Sequence, residues 1–189
     1  MRKQICKCAP LLVAALLVLI AQARATSLRR MSVAEMSRAA ATIVRAKCAR
    51  QSVGWDAGEI WTFITFDVKE VWKGSAHEQV VVRLLGGRTA EVTSTVSGVP
   101  RFRAGEEVVL FLEPTKRGDF SVTSWMQGTI RIVRDAGTGE EHVRQDTSLF
   151  PVFSPATRNF VASGIRDMPL SELRAQVAAA LRPQNGGAR

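Results

Sequence analysis

Few side chains in this sequence are of the types that carry chemistry. Past residue 25 there is one cysteine, Cys48, and two histidines, His77 and His142. A zinc site needs three or four Cys, His or carboxylate ligands converging on one point, yet no two of these three residues lie within ten positions of each other. His77 stands beside Glu78 in a turn, and His142 follows Glu140 and Glu141. Both read as solvated side chains, so neither a metal nor a cofactor is expected. Cys48 has Lys47 and Arg50 nearby, and cations favour the thiolate. A cysteine on a strand nevertheless packs as a small hydrophobe more often than it reacts, and that is the reading taken for Cys48. Ser163-Gly164 lacks the Gly-x-Ser-x-Gly spacing of a nucleophile elbow. Glu106-Glu107 and Glu140-Glu141 are adjacent in sequence, and neighbours on a strand point to opposite faces. Neither pair therefore makes a shared acid–base site, and both read as turn or surface charges. Gly86-Gly87 and Gly137-x-Gly139 carry no phosphate-loop spacing.

What remains is a surface. Trp61 and Phe63 lie opposite an apolar stripe on the same segment. Arg83 alternates outward on the next segment, and Trp125 and Arg131 extend the same candidate binding face. Aromatic rings interleaved with cations suit the binding of polymers or proteins. The competing assignment is that flanking helices cover these rings.

The elements that would position this face are mostly strands. Ser32 and Glu35 fit a capping box opening a short helix over residues 33–41. Residues 42–49 alternate as a first strand, and residues 51–58 read as a turn region with Gly54, Asp56 and Gly58. Residues 59–72, EIWTFITFDVKEVW, are dense in β-branched and aromatic side chains. Ile60, Ile64, Phe66 and Val68 share one face at period two. The phase then shifts, which predicts a bulge near Lys69 or Glu70. Strands are expected over 79–85, 108–112, 120–125 and 129–133, with 88–100 a strand or a long loop and 140–155 polar and irregular. Leu170, Leu173, Val177 and Leu181 recur at helical spacing in an Ala-rich closing segment. Without alternating helices, the fold class expected is mainly β: a small antiparallel barrel or sandwich with one helix before it and one after.

Residues 1–25 predict a compartment. Arg2, Lys3 and Lys7 precede an unbroken apolar run, LLVAALLVLI, and Ala23-Arg24-Ala25 follows. A basic start, a short apolar middle and a small-x-small end make a signal peptide. Cleavage after Ala25 would leave Thr26 leading the mature chain. The apolar core of thirteen residues is short of the about 20 that span a bilayer, so no membrane span is expected after cleavage. Removing four basic residues takes 26 to 22 against 17 acids, a mature charge of +5. That balance permits an anionic partner without demanding one, and no specific nucleic acid is expected. The expected organisation is a signal peptide at 1–25, a loose lead-in at 26–31, a single domain at 32–182 with its strand core at 42–134, and a flexible tail at 183–189.

The order of these segments resembles a known group. A helix precedes ATIVRAKCAR, a long strand ends in FDVKEVWKG, and VVVRLLGG, VPRFRAGEEVVLFLEP and FSVTSW follow. The stretch 32–133 is similar to bacterial exported domains related to the tissue inhibitors of metalloproteinases and the wider netrin-like group. Its best markers are Val71-Trp72-Lys73-Gly74 and Phe102-x-x-Gly105-Glu106-x-Val108-x-Leu110-Phe111-Leu112. The resemblance implies a five-stranded OB-type barrel with flanking helices. Animal inhibitors of the group chelate a protease zinc through an amino-terminal cysteine held by disulfides. Thr26 and a lone Cys48 cannot do this, so that mechanism does not carry over. The function expected is an exported, non-enzymatic binding module, periplasmic or extracellular, for a protein or an envelope polymer. The alternative is a secreted inhibitor of a co-exported peptidase. A hydrolase with a dispersed site is a third reading.

Overall fold

The computed structural model describes residues 29–145, 147, 152–162 and 164–183. The expected signal peptide, with Ala23 and Ala25, and the tail beyond residue 183 lie outside the described residues. Among those described, no helix is long and apolar enough to cross a membrane.

The chain is mainly β, with one helix near each end of the described residues. Helix α1 (Val33–Ala39) opens on the expected capping box: Ser32 Oγ accepts from the Glu35 amide, and Glu35 Oε2 accepts from the Ser32 amide at 2.8 Å. Ser32 Oγ also donates to Glu35 Oε2 at 2.9 Å, and these bonds hold the Glu35 carboxyl below its ordinary range. Strands β1 (Thr42–Asp56) and β2 (Glu59–Lys73) form one long hairpin. After them come β3 (Gln79–Leu85), the two-residue strands β4 (Gly87–Arg88) and β5 (Thr93–Ser94), β6 (Glu107–Pro114) and β7 (Phe120–Val122). A 3-10 turn (Trp125–Gly128) leads into β8 (Thr129–Arg134), which pairs with β9 (Glu141–Gln145). Two short strands, β10 (Val152–Ser154) and β11 (Asn159–Val161), make a separate ribbon, and β12 (Met168–Pro169) runs into helix α2 (Leu170–Leu181).

Five of these strands close on themselves in the order β1-β2-β3-β7-β6 and back to β1, while β8, β9 and β12 extend the sheet outward from β6. The ring is not purely antiparallel as expected, because β3 and β7 run parallel where Val82 meets Phe120. The expected bulge is present, since Glu70 pairs with Arg45 and Val68 with Ala46, leaving Lys69 unpaired. Trp72 and, on β1, Ala49 are skipped in the same way. Such extra residues bend a ribbon and sharpen its twist, which lets one long hairpin curve around the ring.

Two apolar cores lie back to back across β1 and β6. Val44, Ala46 and Cys48 of β1, with Val108, Leu110 and Leu112 of β6, face the ring interior and meet Ile64, Phe66, Val80 and Val82. The intervening Ile43, Val109 and Phe111 face outward, onto Met36 of α1, Leu170, Leu173 and Val177 of α2, and Ile130 and Val143. A strand buried on both faces reads as a continuous apolar run, and VVLFL is that run.

Three sequence expectations are corrected. Residues 51–56 are not a turn, because each pairs with β2; only Ala57 and Gly58 turn the chain, both at positive φ as a tight hairpin requires. Residues 141–145 and 152–154 are strands rather than irregular, because pairing with β8 and β11 supplies order that their polar composition does not advertise. The lead-in is not loose over residues 29–31. Gln127, which is buried, accepts from the Met31 amide at 2.8 Å and donates to the Arg29 carbonyl at 2.8 Å.

The turn carrying Gln127 is tight: Ser124 and Trp125 both have positive φ, and a Cβ on Gly128 would sit 2.2 Å from the Thr123 carbonyl oxygen. Gly128→Ala is expected to lower the unfolding free energy in urea by about 2 kcal/mol or more; a loss below about 0.5 kcal/mol would show that the turn relaxes freely.

Candidate functional site

The aromatic face assembles because β2 and β3 alternate in phase. Phe63 pairs directly with Arg83, and Trp61 with Leu85, so Trp61 is the diagonal neighbour of Arg83 on the outside of the ring. The Arg83 guanidinium lies 5.0 Å from the Trp61 ring centroid and 5.3 Å from that of Phe63. Two loops then supply acids that sequence reading missed. Arg83 Nε donates to Asp119 in the β6–β7 turn at 2.6 Å, and Nη1 to Asp56 at the hairpin tip at 3.1 Å. Arg117 pairs with the other oxygen of Asp56. Burial alone would push the Arg83 guanidinium down, but its bonds to Asp119 and Asp56 outweigh that and hold it above its ordinary value. Its side chain is only 11% exposed, so it is a fixed brace for the rings rather than a free cation. The available signal was charge in two turns, one at the β1–β2 tip and one between β6 and β7.

Trp125 and Arg131 stand elsewhere. Trp125 sits in the 3-10 turn before β8, with 37% of its surface exposed. Arg131 pairs across from Val108, donates to the Arg101 carbonyl at 2.7 Å, forms an ion pair with Glu106 and lies 5.7 Å from the Phe102 ring. The structure therefore brings Trp61, Phe63 and Arg83 together and puts Arg131 in a second group around Phe102.

A third group lines a recess between the sheet and α2. Arg45, between apolar neighbours on β1, reaches Glu107 at 2.8 Å, Glu141 at 2.7 Å and Glu70 at 3.5 Å. Arg174 of α2 bonds Glu70 at 2.6 Å and lies 5.5 Å from the Trp72 ring, and Arg134 bonds Glu141 at 2.8 Å. The bond from Arg45 holds the Glu141 carboxyl below the usual range. Glu106 and Glu107 do point to opposite faces, as expected, but to Arg131 and Arg45 respectively. They and Glu141 are half-buried ion-pair partners rather than solvated surface charges. A lone arginine in an apolar strand was visible in the sequence; its distant acids were not. Three carboxylates thus converge, but on a guanidinium. Among the described residues no three Cys, His, Asp or Glu side chains are placed to hold a metal ion.

Cys48 is buried, and burial pushes its thiol up, with Glu106 adding to the effect. This is the packed hydrophobe of the sequence reading. His77 is exposed, as expected. His142 is less free than expected: Nδ1 bonds Asp167 at 2.7 Å and Glu140 lies 3.7 Å from Nε2. No family model matches this chain, and comparison with curated proteins finds none similar to it.

The bond to Asp167 raises the His142 pKa above its ordinary value. A raised folded pKa gives stability that is present in full below the unfolded value and disappears as pH rises through the folded one. Asp167→Asn is therefore expected to lower Tm near about pH 5 and to leave it unchanged near about pH 9; an equal loss at both ends would show that the pair acts through geometry and not charge.

Proposed function

We propose that this protein is an exported, non-enzymatic binding module built on an OB-type barrel, similar to the netrin-like domains. The ring order supports the barrel. A three-strand meander, β1-β2-β3, is followed by a strand that returns beside β1, a Greek-key path. OB-type barrels bind polymers across their second and third strands, between the loop joining strands one and two and the loop joining four and five. Here those strands are β2 and β3, and those loops hold Asp56 and Asp119.

The observation that carries the reading is the pair Trp61 and Phe63, half-exposed and braced by one arginine whose charge is already matched. Arg83 and Arg117 are each matched by an acid, Asp56 or Asp119. Binding to nucleic acid rests on uncompensated cations, so aromatic rings beside matched arginines favour a glycan-type envelope polymer or a protein. The basic, apolar and small-residue pattern of residues 1–25 supports export to a periplasm or the extracellular space.

A second reading keeps support from one feature. Residues 50–56 of β1 pair with β2 alone, and Trp55 beyond the ring is 60% exposed. A projecting hairpin with an exposed aromatic suits entry into a peptidase cleft.

Co-sedimentation with purified peptidoglycan and with neutral glycan polymers tests the first reading. Trp61→Ala with Phe63→Ala is expected to weaken retention by about tenfold or more, since each stacked ring is worth about 1–3 kcal/mol. Unchanged retention, or none by the parent protein, counts against it. Inhibition of a secreted peptidase that is lost in Trp55→Ala would favour the second reading instead.

A further inference from the structure

A recess distinct from the aromatic face opens at one end of the ring. Gly86 and Gly87 turn the chain out of β3 into β4. A Cβ at Gly87 would lie 2.7 Å from both Thr62 Oγ1 and Val53 Cγ1, so glycine lets this strand run close against the hairpin. The β4–β5 ribbon, the hairpin and residues 95–102 then enclose a cleft of about 480 Å³. Its floor is the end of the ring core, formed by the buried side chains of Ile64, Leu84 and Phe102 and by half-buried Val99. Arg88 and Arg101 line it as well, both exposed and neither forming an ion pair among the described residues. No carboxylate lines it among those residues. The contrast with Arg83, Arg45 and Arg131 is sharp, because each of those is matched by at least one acid. Residues 95–101 are also backed by a smaller cavity of about 290 Å³ on their other side. That cavity is lined by Arg131 and by Thr129, whose buried hydroxyl has no hydrogen-bond partner among the described residues.

We propose that this cleft binds a small amphiphilic anion, with its apolar body on Ile64, Leu84 and Phe102 and its acid group at Arg88 and Arg101. Small-molecule sites have this volume and this make-up: a mainly apolar wall with a few polar groups that fix orientation. An apolar floor alone would accept any hydrophobe. Two unmatched guanidinium groups on an acid-free rim select a carboxylate, sulfate or phosphate head.

Octanoate is the probe, titrated calorimetrically into the protein while backbone amide shifts are followed by NMR. Saturable binding at one site is expected, with shifts concentrated over residues 84–102. Octylammonium and acetate are expected to bind at least about tenfold more weakly, since one carries the opposite charge and the other lacks the apolar body. Arg88→Gln with Arg101→Gln, both exposed positions, should weaken octanoate at least about fivefold without moving Tm. Trp61→Ala with Phe63→Ala should leave octanoate binding unchanged, which separates this site from the polymer face. Equal affinity for octanoate and octylammonium, shifts scattered over the surface, or no saturable binding would overturn the proposal.

Discussion

Six consecutive residues of β1, Thr42 to Lys47, pair with six of β6, and successive side chains enter different cores. Val44 and Ala46 meet Leu110 and Val108 inside the ring, while Ile43 meets Phe111 on the helix side. This one ladder closes the ring and supplies the wall on which α1, α2 and β8 pack. Full burial of each valine, leucine, isoleucine or phenylalanine among them stabilises by about 1.5–3 kcal/mol, and both sets depend on the same register. A slip of one residue would exchange the two sets of side chains, so neither core can shift its pairing without disrupting the other.

The same alternation explains where charge sits. Arg45 follows Val44 in the ladder, so its side chain must leave on the helix side, into a space otherwise filled by Ile43, Val109 and Phe111. Glu70, Glu107 and Glu141 come to it from three different strands, and Arg174 of α2 adds a second cation. Removing one member of such a group leaves its partners unmatched in a half-buried space, which costs more than the pair contributes. The network fixes the approach of α2 to the sheet more than it adds net stability.

Much of the frame was legible in residues 59–73 and 107–114, where apolar alternation, the phase slip at Lys69 and the run VVLFL each have one physical reading. Both helices were legible for the same reason, through Ser32 and Glu35 at one end and the Leu170–Leu181 spacing at the other. Residues 51–56 and 141–145 were not. Their order comes from partners far along the chain, and local composition cannot report a hydrogen bond made by a distant strand. The site followed the same rule. Trp61, Phe63 and Arg83 were visible as one face by period two, whereas Asp56 and Asp119 came to it only through ring closure. Nothing in the sequence singles out Arg88 and Arg101; what sets them apart is that no carboxylate lines their cleft among the described residues.

The junction of β3 with β7 has one register pair, Val82 and Phe120, where β1 and β6 have six. The Arg83–Asp119 bond crosses this junction, so the brace of the aromatic rings is also a clasp on the thinnest seam of the ring. Local opening selects the least-bonded part of a structure. If the seam parts, the ring opens with β3 and β7 as bare edges, and such edges template chain-to-chain pairing. The Arg83–Asp119 bond therefore serves two ends at once, holding the guanidinium against the rings and tying β3 to the start of β7.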